Sequence, residues 1–172
     1  MKKSTKIILG ILWWLWQLTW GALMTYPGFL VTAFVIIFLK GKPHKNGYSY
    51  IVEIGGNWGG LEIGAVALCG HYYINDFEWF EKTRRHEFGH NMQQLIFGPF
   101  QIFIWIASTI RYWYRRINHI KEKDVPYDSV WFEGTATKWG TYFINLIESP
   151  IKYEITQEDR EKFFEDSMEN NR

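Results

Sequence analysis

The chain predicts an α+β fold: a small antiparallel sheet packed on active-site helices, preceded by an N-terminal apolar helical hairpin. Three observations carry this expectation. Two apolar runs without a charged residue open the chain, a glycine-punctuated stretch of alternating character follows, and the second half carries helical periodicity. At 172 residues there is room for one domain plus an appendage, and enough chain to bury a core.

The elements follow in order. After the basic start MKKSTK, the segment from Ile7 to Met24 holds no charge, which is long enough to cross a bilayer. A second run, FLVTAFVIIFL, ends in the basic loop KGKPHK and is short for a span of its own. Tyr26-Pro27-Gly28 reads as the turn between the two. Basic residues flank both ends of the pair, so the positive-inside bias puts both ends, and the domain that follows, on the cytoplasmic side. Trp13, Trp14, Trp16 and Trp20 suit an interfacial belt, and no A-x-A cleavage pattern follows the first run. Residues 1–46 are therefore expected to be a membrane anchor with the lipid bilayer as partner.

Residues 47–155 have another texture. YSYIVEI alternates like a strand, GGNWGG is a turn, and LEIGAVALC is a second strand-like run. NDFEWFEKTRRHEFGHNMQQLIF carries helical periodicity up to a stop at Gly98-Pro99. PFQIFIWIASTI is apolar all round and ends in RYWYRR, which suits a helix that is buried or dips into a membrane with arginines at the headgroups. NHIKEKDVP is a charged connector, and DSVWFEGTATKWGTYFINLI is a further helix with Asp128 as its expected N-cap. The tail, residues 156–172, is mostly solvated charge.

Composition excludes some functions. Hydrophobic residues make up 47%, aromatics 19% and charged residues 22%, with mean hydropathy -0.21, so the apolar character is concentrated in segments. A net charge of +1 gives no electrostatic argument for nucleic acid. GGNWGG lacks the lysine and spacing of a phosphate loop. The single cysteine, Cys69, excludes an intramolecular disulfide and a cysteine metal cage, and reads as a small core residue.

The chemistry concentrates in RRHEFGHNMQQL. Residues four apart on an α-helix differ by about 40° in azimuth and about 6 Å along the axis, so His86 and His90 can offer two imidazoles to one cation. Glu87, rotated about 100° from His86, stays out of the coordination sphere yet close enough to act as general base on water. A catalytic zinc takes three protein ligands and one open position. The extended HExxHxxGxxH pattern is excluded, because Gln93 and Ile96 stand where its glycine and third histidine belong. Glu133 is the expected third ligand: WFEGTATKWG sets an isolated acid in an apolar, small-residue helix, and a buried carboxylate needs a partner such as a cation. Gly134, Ala136 and Gly140 are small enough to let that helix close on the first. Asp124, Asp128 and His119 are rivals, but they lie in or beside a charged connector where solvation accounts for them.

HEFGH with a downstream ExxA, Glu133 to Ala136, resembles the gluzincin branch of zincin metallopeptidases. With its tryptophan-rich apolar start and following Gly-Pro, the chain also resembles small bacterial membrane-associated proteins with an HE-aromatic-GH core. The resemblance implies zinc held by His86, His90 and Glu133, with Glu87 as base and proton shuttle in hydrolysis of a peptide or protein substrate. It also implies a strand beside the active-site helix that pairs with extended substrate, for which LEIGAVAL is the run to test. One position departs: Thr137 stands where gluzincins often have an aspartate that orients a ligand histidine. A hydroxyl can accept an imidazole N–H but brings no charge. Candidates for the oxyanion donor are Tyr127, Tyr142, His71 and His119, and Gln93 is a candidate cleft residue. A second function class is a zincin-like, catalytically weak or inactive scaffold that acts as a membrane interaction module.

Overall fold

The computed structural model describes residues 2–148, so the charged tail from 156 onward lies outside the described residues. The chain folds as α1 (Lys3–Thr19), α2 (Ala22–Phe38), β1 (Lys42–Asn46), β2 (Ser49–Glu53), β3 (Gly60–Ile63), β4 (Val66–Cys69), α3 (Phe77–Phe97), α4 (Gln101–Ile117) and α5 (Trp131–Ile147). The class is α+β, as expected.

The sheet is mixed rather than antiparallel. Its order is β1-β2-β4-β3, with β2 and β4 parallel and the other two pairs antiparallel. The run LEIGAVALC is two strands, turned at Gly64, whose φ of +71° suits glycine. The preceding glycine-rich link carries the chain past one strand position, so β3 lands at the edge and β4 returns between β3 and β2. β4 is consequently buried along its whole length, which is why it is apolar throughout and shows no alternation. KPHKN, which reads as a basic loop, is strand β1 and zips to β2 from Lys42↔Glu53 to Asn46↔Ser49.

Each face of the sheet meets a helix. Ile51, Ala67 and Cys69 pack with Phe80 of α3 on one side, and Val52 and Leu68 pack with Val35 of α2 on the other. Cys69 is thus a core residue, fully buried.

The turn between α1 and α2 falls at Trp20-Gly21, not at Tyr26-Pro27-Gly28, and Pro27 lies inside α2. Packing decides this. A Cβ on Gly21 would stand 2.5 Å from Gln94 Nε2, and one on Gly28 would stand 2.0 Å from the Ile63 carbonyl oxygen. Gly21 therefore marks a corner seated on α3, and Gly28 marks where α2 rests on β3. The two helices meet at 97°, an open corner in place of a closed hairpin. Trp13, expected in an interfacial belt, is buried instead.

One helical stretch, Phe77–Ile117, is long and apolar enough to cross a membrane by length and composition. It is not straight. Gly98 takes φ 53° and ψ -123°, and α4 turns back so that Ser108 and His86 both bond to the Glu133 carboxylate. A straight helix would hold those two residues about 33 Å apart. At the start of α5, Val130 occupies the N-cap and Asp128 lies in the preceding 3-10 turn, so Asp128 is not the cap.

Candidate metal centre

α3 and α5 cross at van der Waals contact of their backbones. A Cβ on Gly89 would fall 1.8 Å from the Ala136 carbonyl oxygen, and one on Gly140 would fall 1.7 Å from that of Arg85. Ala136 and Gly140 thus serve the close approach expected of them, whereas Gly134 faces the Asp128 carbonyl of its own connector. The seam brings His86, His90 and Glu133 together, with their ligand atoms all within 4.8 Å of one another. Glu133 Oε2 lies 3.0 Å from His86 Nε2 and 3.3 Å from His90 Nε2, and the two Nε2 atoms are 3.2 Å apart. Donors at about 2.0–2.1 Å from a tetrahedral cation stand about 3.3 Å from each other, so these three groups fit one ion. Asp124, Asp128 and His119 are not part of this triangle.

Each ligand atom is held from behind. His86 Nδ1 lies 2.7 Å from Thr137 Oγ1, and His90 Nδ1 lies 2.8 Å from Gln93 Oε1. Gln93 is fully buried and its amide N–H donates to the Phe132 carbonyl and to Thr135 Oγ1. It links His90 to α5 rather than facing the cleft. Glu133 Oε1 accepts from Ser108 of α4. Burial alone would raise the Glu133 carboxyl; hydrogen bonds from His86 and His90, the His90 charge and Ser108 outweigh it and hold it well below the usual range.

Glu87 points to the neighbouring face, against the sheet edge. A Cβ on Gly60 would stand 2.5 Å from Glu87 Oε1, so the glycine at the start of β3 makes room for this carboxylate. Burial pushes Glu87 up, opposed by His86, His90 and the nearby Glu62 backbone N–H. Glu62 itself is buried, with Oε1 unpartnered. Burial pushes its carboxyl to about 8, against the opposing pull of His90.

A cavity of about 1040 Å³ opens beside this cluster, lined among others by Trp58, Gly60, His86, Glu87, Trp105 and Tyr127. Of the run LEIGAVAL, only β3 borders it; β4 is internal. The four candidate oxyanion donors separate. Tyr127 packs at 6.1 Å from the His86 ring, with its hydroxyl beside Ser108 and Glu133. Burial and the Glu133 charge push it up, so the phenol keeps its proton. His71 and His119 line the same cavity, while Tyr142 is 64% exposed and does not.

Sequence reasoning missed Ser108 and Glu62, and it left the role of Gln93 open. Gln93 had a signal, since i+3 from His90 shares its helix face. Ser108 had none, because only the return of α4 brings it to Glu133.

Comparison of the chain with family models, curated proteins and solved structures finds no match. The geometry of the centre is therefore the ground for a functional reading.

Proposed function

We propose that the protein is a membrane-associated, zinc-dependent metallopeptidase. The observation that carries the reading is the His86–His90–Glu133 triangle with Glu87 buried on the adjacent face, between the ligands and a sheet edge that borders a cavity. Two imidazoles and a carboxylate suit zinc, which when bound supplies Lewis acidity to polarise a peptide carbonyl and acidify water. The chain's own groups do the rest. Thr137 and Gln93 fix the ring orientations of His86 and His90, and Ser108 holds the second oxygen of Glu133. Glu87 takes the proton of the attacking water and returns it to the leaving amine. The Tyr127 hydroxyl supplies the hydrogen bond that a developing oxyanion needs. The outward edge of β3 offers backbone groups to an extended substrate.

Glu87→Gln should retain metal while peptide hydrolysis falls by at least about two orders of magnitude. Glu133→Ala should lose metal by elemental analysis of the purified chain. Full activity in the first variant would remove Glu87 from the role of base, and unchanged metal content in the second would move the third ligand elsewhere. The departure at Thr137 favours a second reading, a metal-holding interaction scaffold. A hydroxamate separates the two, because tight binding requires an open position on the metal.

A further inference from the structure

The ends of α1 and α3 carry an arrangement that the metal centre does not use. Two helix pairs, α1–α2 and α3–α4, each break at a glycine and turn, and the two corners pack on each other. A Cβ on Gly98 would stand 2.3 Å from the Trp20 ring. Breaking a helix frees backbone carbonyls, and here each corner serves the other. Trp16 Nε1 donates to the Leu95 carbonyl at 2.8 Å and Trp20 Nε1 to that of Ile96 at 3.4 Å. Gln17 Nε2 donates likewise to the Asn91 carbonyl at 3.1 Å, and in return Gln94 Nε2 donates to the Gly21 carbonyl at 2.8 Å, which also accepts the Thr25 N–H at the start of α2. Gln17, Thr25, Asn91 and Gln94 are fully buried, while Leu15, Leu23, Leu30, Ile96, Phe100 and Phe103 are exposed. The polarity is inverted relative to a protein in water: amides inside, hydrocarbon outside.

The charge pattern agrees. No Asp, Glu, Lys or Arg occurs from Ile7 to Leu39 or from Phe88 to Ile110. The open ends carry exposed cations: Lys2 and Lys3 at the start of α1, Lys40 after α2, and Arg116 and Lys121 at and beyond the end of α4. Dimensions set the depth. Each arm of α1–α2 has 17 residues, about 25 Å of helix, which falls short of an approximately 30 Å hydrocarbon core. Two such arms meeting at 97° reach roughly 17–19 Å, just over one leaflet.

We infer that the paired corners at Trp20-Gly21 and Gly98–Phe100 form a re-entrant tip that enters one leaflet of an anionic bilayer, with all four helix ends on the same side. The occupant of the apolar surface is lipid. The two indole bonds satisfy the Leu95 and Ile96 carbonyls that the break at Gly98 frees, as a lipid-immersed break requires, and the cations at the open ends match anionic headgroups. The inference rests on the membrane-associated part of the proposed function and is independent of its hydrolytic part.

The test uses the full chain in vesicles of phosphatidylcholine and phosphatidylglycerol. Single cysteines are introduced at Leu23, Phe100, Lys3 and Lys121, and native Cys69 is buried. Fluorophores at Leu23→Cys and Phe100→Cys should be quenched most by lipids carrying a nitroxide deep in the acyl chain, and those at Lys3→Cys and Lys121→Cys by headgroup nitroxides. An impermeant maleimide should reach the two lysine positions from the same side. Reaction of Lys3→Cys and Lys121→Cys from opposite sides, or headgroup-level quenching at Leu23→Cys, would overturn the re-entrant tip in favour of a spanning or surface arrangement. Absence of quenching by any lipid would show the surface covered by protein. Failure to float with vesicles at all would overturn membrane association itself, leaving the Glu87→Gln result to judge the peptidase reading. All four positions are exposed, so the replacements leave the core intact.

Discussion

The α3–α5 seam and the paired corners both depend on glycine, but in different ways. At the seam, Gly89 and Gly140 face backbone carbonyls of the opposite helix. At the corner, Gly21 faces chiefly the side-chain ends of Gln94 and Gln17, with the Gln17 carbonyl oxygen farther off at 3.0 Å. Backbone cannot retreat, so the seam fixes the helix spacing closely enough to set three ligand atoms around one point. Side-chain ends can swing, so the corner is held by neutral amide hydrogen bonds that adjust. The difference matches what each region holds: ionisable ligands that need a defined geometry, and broken helix ends that need only partners.

The largest effect should come from adding one methyl to each region. Gly89→Ala meets the Ala136 carbonyl and should cost about 3 kcal/mol or more, with loss of the metal triangle, whereas Gly21→Ala should cost about 1 kcal/mol or less. Thermal unfolding with metal analysis reads both, and equal losses would break the contrast.

Next in size are the groups behind the histidines. Gln93→Ala and Thr137→Ala should each lower metal affinity about 10–100-fold with the fold retained. Gln93→Ala should have the larger effect, because Gln93 is fully buried and bridges to α5. Competition with a chelator measures this, and unchanged affinity in both variants would deny them an orienting role.

The smallest effect concerns Glu62. Its carboxyl is raised in the fold to about 8, so the folded state holds its proton where the unfolded chain has released it. Stability from this group is present below the unfolded pKa of about 4.3 and is lost as pH rises through 8. Glu62→Gln should therefore match the wild type near pH 5 and exceed it in melting temperature near pH 9; a difference that does not grow with pH would refute the assignment.

Much of the site was legible locally. The i,i+4 spacing of His86 and His90 and the isolated acid at 133 are properties of single helices, and helical geometry converts them directly into positions. The strand pattern was partly legible: β2 reads as a strand although it lies inside the sheet, but β4, buried along its whole length, shows only an apolar run. Periodicity therefore could not reveal that LEIGAVALC folds back on itself. The proline signal at 27 misled because proline and glycine mark turns only where the chain is free to turn. There, α2 continues against β3, and Gly28 serves that contact.

The sequence by itself determined the elements whose cause is local: the helical class of the second half, the stop at Gly98-Pro99, the histidine pair with its adjacent carboxylate, and the charge-free run from Ile7 onward. Tertiary structure alone decided which groups meet across the chain. Ser108 reaches Glu133 because α4 doubles back, Gln93 turns inward because α5 lies within bonding distance, and Gly21 rather than Gly28 becomes the corner because Gln94 needs its carbonyl. Each depends on an approach between segments far apart in sequence, and no short-range pattern encodes that distance.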